Sequence, residues 1–131
     1  MTLDEIQKVF ADDRFATEAA GAMVEAAEDG FARCSLNIQP VHRNAMGAVM
    51  GGAIFTLADF AFAVASNCAG TPVVSLNSQI TYLSAAKGER LIAEAKRVRQ
   101  GRSTGYYRIT VSDELGTMVA EVVTTGFVVK K

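Results

Sequence analysis

Apolar positions recur along this chain in two rhythms, and the change of rhythm marks its elements. Leu3, Ile6, Val9 and Phe10 return at helical spacing behind a Thr2…Glu5 capping-box pattern, which predicts a short amphipathic helix through about Ala11. The rhythm then becomes alternation. Ala32, Cys34, Leu36 and Ile38 share one face of a predicted strand over residues 31–38, and residues 21–27 form its partner across Glu28-Asp29-Gly30, a hairpin signal. Pro40 ends the second strand and opens a loop holding His42 and Asn44. A long apolar helix is predicted over 52–68, stopped by Gly70-Thr71-Pro72. Four more strands follow: 73–83, 90–99 after Lys87-Gly88-Glu89, 104–112 after Gln100-Gly101-Arg102-Ser103, and 117–129 after Glu114-Leu115-Gly116. No internal repeat, low-complexity tract or interdomain linker interrupts them, so residues 1–131 are read as a single domain.

One very apolar helix among about six antiparallel strands has few stable arrangements. An α+β architecture is expected, in which the sheet wraps the helix, since neither buries its apolar surface otherwise. Such a sheet has open edges, and pairing with a second subunit would cover one of them. The run 45–65 is the one stretch that resembles a membrane span, but it carries three glycines and Asp59. A helix apolar on every side is equally what a domain core requires, and no membrane association is expected.

Composition narrows the partners. A formal net charge of -1 argues against a nucleic-acid surface built on overall basicity. No charged leader precedes a hydrophobic stretch at the amino terminus, so no signal peptide is expected. Cys34 and Cys68 lack metal spacing and are read as buried free thiols of a cytoplasmic protein. With His42 the sole histidine, no metal site is expected. His42 itself is read as a local hydrogen bonder of its loop.

The chemistry concentrates in residues 44–59. There a small-residue loop runs through Gly51-Gly52 into the apolar helix, whose one formal charge is Asp59. A lone carboxylate among Ile54, Phe55, Leu57, Phe60 and Phe62 is costly to bury unpaired. Glycines at a helix start offer bare N–H groups where the macrodipole favours negative charge. The two features together suggest hydrolysis of an acyl group. Each also has a plainer reading: Asp59 surfacing or pairing with an arginine, Gly51 and Gly52 permitting close packing, Asn44 closing a turn.

The order of elements is similar to the hotdog fold: short helix, hairpin, loop, buried helix, four-strand meander. His42-x-Asn44, Gly47, Gly51-Gly52, Leu57-Ala58-Asp59 and Asn67 resemble the phenylacetate-degradation (PaaI-like) branch of the acyl-CoA thioesterases. Val74-Ser75, Ile80-Thr81-Tyr82 and Gly101-Arg102 also fit, and the likeness runs from about Phe15 to Val129. One position departs: the family has His-Gly-Gly before the helix where this chain has Met50-Gly51-Gly52. The resemblance implies hydrolysis of an aromatic or medium-chain acyl-CoA to free acid and coenzyme A, with no cofactor beyond the coenzyme A of the substrate itself. It implies catalytic roles for Gly51 (N–H polarising the thioester carbonyl), Asp59 (nucleophile or general base), Asn44 (orienting amide) and Ser75 (holding the water). It also implies a substrate-binding entrance formed by His42, Met50 and Gly52. Arg97, Arg99 and Arg102 are candidates for the coenzyme A phosphates.

Gly51 and Asp59 lie eight residues apart on one helix, roughly 12 Å at 1.5 Å per residue. If both serve one reaction, a second subunit supplies one of them, which matches the interface sites that the resemblance implies. A homodimer is the expected minimal unit and a homotetramer the expected assembly. The alternative function is a non-catalytic acyl-CoA-binding or sensing protein of the same fold. A hydratase reading lacks the histidine that Met50 replaces.

Overall fold

The computed structural model describes residues 1–130. Helix α1 spans Leu3–Phe10 and is closed at its start by the full Thr2/Glu5 capping box. Strands β1 (Met23–Glu28) and β2 (Phe31–Asn37) form the expected hairpin, with Gly30 in its turn at φ 81°. Strand β1 starts at Met23 rather than residue 21, because Gly21 takes φ 81° and turns the chain first. A short 3-10 turn, Pro40–His42, leads to helix α2, Gly51–Asn67. Strands β3 (Val73–Tyr82), β4 (Arg90–Gln100), β5 (Thr104–Asp113) and β6 (Met118–Val128) complete the chain.

All six strands join one antiparallel sheet in the order β1-β2-β4-β5-β6-β3. The sheet lies against α2 as the hotdog arrangement requires. One detail of the expected topology is corrected: only β4, β5 and β6 form a meander, while β3 crosses to the far edge and pairs with β6. The reason lies in α2. The helix crosses the sheet and delivers the chain to the opposite edge, so the segment after β3 must cross back to place β4 beside β2.

Small side chains set the helix close to the sheet. Ala58, Ala61 and Ala65 of α2 are fully buried, as are Ala32, Ala93 and Ala95 of the central strands. Leu57, Val64, Ile109, Val111 and Val122 fill the space between, at the density expected of an interior. Register shifts in β1, β3, β4 and at the β5–β6 pairing bend the sheet around its helix. Cys34 and Cys68 are buried free thiols, and burial pushes Cys34 up to about 12. No described helix is long and apolar enough to cross a membrane.

The two sheet edges differ. Helix α1 lies against β1, and the Gln7 amide donates to the Val24 carbonyl at 2.8 Å. Among the described residues nothing covers strand β3 in this way. Its Val74 and Leu76 are 51% and 60% exposed, and most of its other residues are also open to solvent.

Candidate active site

The entrance to α2 is assembled by a relay of hydrogen bonds. Residues Phe15–Ala19 form a single π-helical turn, in which the Ala20 N–H donates to the Phe15 carbonyl at 2.9 Å. The Ala20 carbonyl then accepts from His42 Nε2 at 2.7 Å, while His42 Nδ1 accepts from the Gln39 N–H at 2.9 Å. Those two bonds fix the imidazole in the tautomer protonated at Nε2. The His42 carbonyl in turn accepts from the Met50 N–H at 2.7 Å. His42 is buried and acts as the post on which the helix start is hung.

Asn44 closes the loop between. Its Oδ1 accepts from the Met46 and Ala48 N–H groups at 2.9 and 3.1 Å, leaving the amide NH2 as the free end. Gly51 and Gly52 follow as the first two residues of α2. Met50 contributes no side-chain cap, and the N–H groups of Gly51 and Gly52 meet no backbone acceptor among the described residues. Free first-turn donors are the anion-accepting feature of a helix. Gly51 is held from outside by Tyr82, whose hydroxyl donates to the Gly51 carbonyl at 3.0 Å.

Two turns further along α2, Asp59 opens into a cavity of about 480 Å³ that it shares with Asp13, Arg14, Phe15, Phe55, Phe60 and Ala63. No described cation lies within salt-bridge distance of its carboxylate; Arg14, the nearest candidate by position, is engaged by Glu18 at 3.0 Å. Desolvation by the apolar walls raises its pKa above the ordinary aspartate value, and the like charge of Asp13 adds to the shift. A carboxylate left unpaired and partly dehydrated is a better base and nucleophile than one in water. Beside this cavity lies a second, of about 360 Å³, lined by Val41, His42, Met50, Gly52 and Ala53. Phe15 and Thr56 border both.

Ser75 sits on β3 opposite Gly126 and faces solvent. The start of that strand is fixed by Asn67, whose side chain accepts from the Val73 N–H at 2.8 Å and donates to the Val73 carbonyl at 3.2 Å. The three arginines are not equivalent. Arg97 pairs with Asp29 at 2.9 Å and packs against Gly30, whose N–H is bound to the Ala65 carbonyl at 3.0 Å. Arg97 therefore stands by the end of α2 remote from Gly51. Arg99 and Arg102 lie exposed about the β4–β5 turn, Arg99 beside a shallow depression with Thr104, Tyr106 and Thr125. Within one chain, then, His42, Asn44, Met50, Gly51 and Gly52 meet at the helix start, Asp59 stands apart in its own cavity, and Ser75 and the arginines lie elsewhere.

Several residues at this site escape a reading of sequence. Asp13, Arg14 and Phe15 wall the Asp59 cavity, yet a five-residue π turn leaves no periodic trace. A usable signal was available in Phe15, an aromatic residue outside both apolar rhythms and 72% exposed.

Known proteins bear on this geometry. A profile of the Thioesterase superfamily matches residues 46–120. A putative esterase of Archaeoglobus fulgidus is 38% identical over 104 residues, covering 79% of this chain and 68% of its own. Acyl-coenzyme A thioesterase PaaI of Escherichia coli is 32% identical over 104 residues, covering 79% and 74%. The solved structure of the E. coli PaaI protein superimposes with a TM-score of 0.85 at 25% identity, over 98% of this chain and 97% of the other. A hypothetical thioesterase from Streptococcus pneumoniae, solved with coenzyme A, gives a TM-score of 0.84 at 27% identity over 93% and 98%. The match runs through the helix entrance, Asp59 and the sheet that carries them, and the chain belongs to the thioesterase superfamily, in its PaaI-like hotdog branch of thioester hydrolases.

Proposed function

We propose that this chain is an acyl-CoA thioesterase whose active unit is a homodimer, Gly51 of one protomer facing Asp59 of the other. The observation that carries the reading is Asp59 itself: a carboxylate paired with no described cation, raised in pKa, opening into a largely apolar cavity on a helix otherwise without charge. In the proposed reaction the Gly51 N–H polarises the thioester carbonyl and takes up negative charge as the tetrahedral intermediate forms. Asp59 either removes a proton from the attacking water or attacks the carbonyl itself, giving an anhydride that water then opens. The carbon–sulfur bond breaks, and coenzyme A leaves as the thiol after protonation. Asn44 orients the reacting groups through the amide NH2 that its loop leaves free. Ser75 is assigned to the water.

The acyl group, aromatic or of medium length, is placed among Phe15, Phe55, Phe60 and Ala63, with Met50, His42 and Gly52 at the entrance. Coenzyme A is substrate, and no further cofactor is invoked; the pneumococcal neighbour solved with coenzyme A supports that choice. Arg99 and Arg102 are better placed than Arg97 for its phosphates, since Arg97 is already paired. The bare edge of β3 supports pairing with a second copy. A homotetramer and a cytoplasmic location complete the reading, and the buried free thiols are compatible with the latter.

Release of free thiol from a panel of acyl-CoAs tests it. Wild type is expected to turn over at least one member, and Asp59→Ala to lose about 10²–10⁴-fold in kcat with its fold intact. Light scattering should show a dimer or tetramer. Binding without turnover by wild type favours the sensing alternative, and an active monomer rejects the two-protomer site.

A further inference from the structure

Tyr82 ends β3, 31 residues beyond Gly51, and meets it in two ways. Its hydroxyl donates to the Gly51 carbonyl, and its ring occupies the space a side chain at Gly51 would need. A β-carbon placed on Gly51 would stand 2.9 Å from the Tyr82 hydroxyl oxygen, 3.0 Å from Cζ and 3.2 Å from Cε1. One placed on Gly52 would meet nothing within 4 Å. Gly51 does not have a positive φ, so no backbone conformation demands glycine there. The demand comes from the tyrosine.

We propose that Tyr82 is a positioning residue for the first turn of α2: by holding the Gly51 carbonyl it fixes the Gly51–Gly52 peptide directly, and through the shared α-carbon it restrains the neighbouring Gly51 N–H, so that the free donors keep one orientation. The proposal rests on the reading of Gly51 as the donor to the thioester carbonyl. The turn needs such a brace because Met50 supplies no cap and helix ends with unmet donors fray. Tyr82 is 52% exposed, so water competes for its hydroxyl and the bond adds little to global stability. Its effect falls on geometry instead, and donors aimed at a developing oxyanion tolerate little misplacement. Because Tyr82 belongs to the bare edge strand, it also links whatever pairs with β3 to the helix entrance.

Gly51→Ala keeps the N–H and suits a helix, but its methyl group takes the place of the hydroxyl. The tyrosine side chain, exposed and free at its far end, swings out and the bond is lost. Gly51→Ala and Tyr82→Phe therefore break the same contact. Tyr82→Phe is expected to lower kcat about three- to tenfold, the loss corresponding to one neutral hydrogen bond, with KM within about twofold. The double variant Gly51→Ala/Tyr82→Phe is expected to be no slower than Gly51→Ala alone, since effects through one shared contact do not add. An unchanged kcat in Tyr82→Phe, or losses that multiply in the double variant, would overturn the proposal.

A second measurement needs no turnover. In urea, Gly51→Ala is expected to raise the unfolding midpoint more on a Tyr82→Ala background, where the methyl has room, than on the wild-type background, where the tyrosine must give up its bond to make way. Equal shifts on the two backgrounds would reject the brace. If wild type hydrolyses no acyl-CoA, the functional reading fails and this unfolding comparison alone decides on Tyr82.

Discussion

Asp59 and Asp113 are the same residue type in opposite circumstances. Asp113 is buried at 2% exposure, and its carboxylate accepts four backbone N–H groups: Lys87 and Gly88 at 2.8 and 2.9 Å, Leu115 and Thr117 at 3.0 and 2.9 Å. Burial pushes its pKa up, but the donated bonds from Lys87, Thr117 and Gly88 outweigh it and hold the group well below the usual carboxylate range. With Glu114, which binds the N–H groups of Glu89 and Arg90, it fastens the crossover that carries the chain from β3 back to β4. Asp59 has none of this. Burial raises its pKa, Asp13 raises it further, and no described cation offsets either. One carboxylate is consumed by structure, the other is left free to react. Burial and hydrogen-bond saturation both separate them: Asp113 is sealed inside its four bonds, whereas Asp59 is exposed to solvent at the mouth of its cavity.

The contrast breaks most sharply on substitution. Asp59→Asn should abolish most turnover while the protein stays folded, a loss on the scale expected above for Asp59→Ala. Asp113→Ala should leave four backbone donors unmet and lower Tm by roughly 5–10 °C, with the chemistry per folded molecule retained. Thermal denaturation beside thiol release distinguishes the two; a Tm loss in Asp59→Asn matching that of Asp113→Ala would contradict the distinction.

pH separates them next, with opposite signs. Folding lowers the pKa of Asp113, so its contribution to stability is present above the unfolded value of about 3.9 and is lost as pH falls below it. Folding raises the pKa of Asp59, so the native state is penalised as pH rises from about 3.9 through the folded value. Asp59→Asn should therefore be more stable than wild type at neutral pH, with the difference vanishing in acid. Activity requires the ionised form, so the acid limb of kcat/KM should be displaced upward from the ordinary aspartate value and move toward acid in Asp13→Asn, the smallest of these effects. An acid limb unmoved by that substitution would remove Asp13 from the site.

Much of the fold could be read from pattern. Alternation placed all six strands within a residue or two of their ends, and the all-apolar stretch ending near Cys68 announced a central helix. What failed was long-range pairing. Nothing local tells β3 to pair with β6, because that choice follows from where α2 delivers the chain. The site divides the same way. Asp59 was visible because one charge in an apolar helix is a local anomaly, and Gly51 because glycine pairs are. Arg97 looked like a free cation until the fold brought Asp29 to it from 68 residues away. Asp113 drew no reading at all, since its Lys87 and Gly88 donors lie 26 and 25 residues upstream.

The unequal edges of the sheet limit how copies can accumulate. With β1 covered by α1 and β3 the one bare edge among the described residues, backbone pairing between identical chains would use the same strand twice and leave no further strand to extend. Growth by that route would terminate at two, and a larger assembly would have to be built from side chains on the faces of the pair.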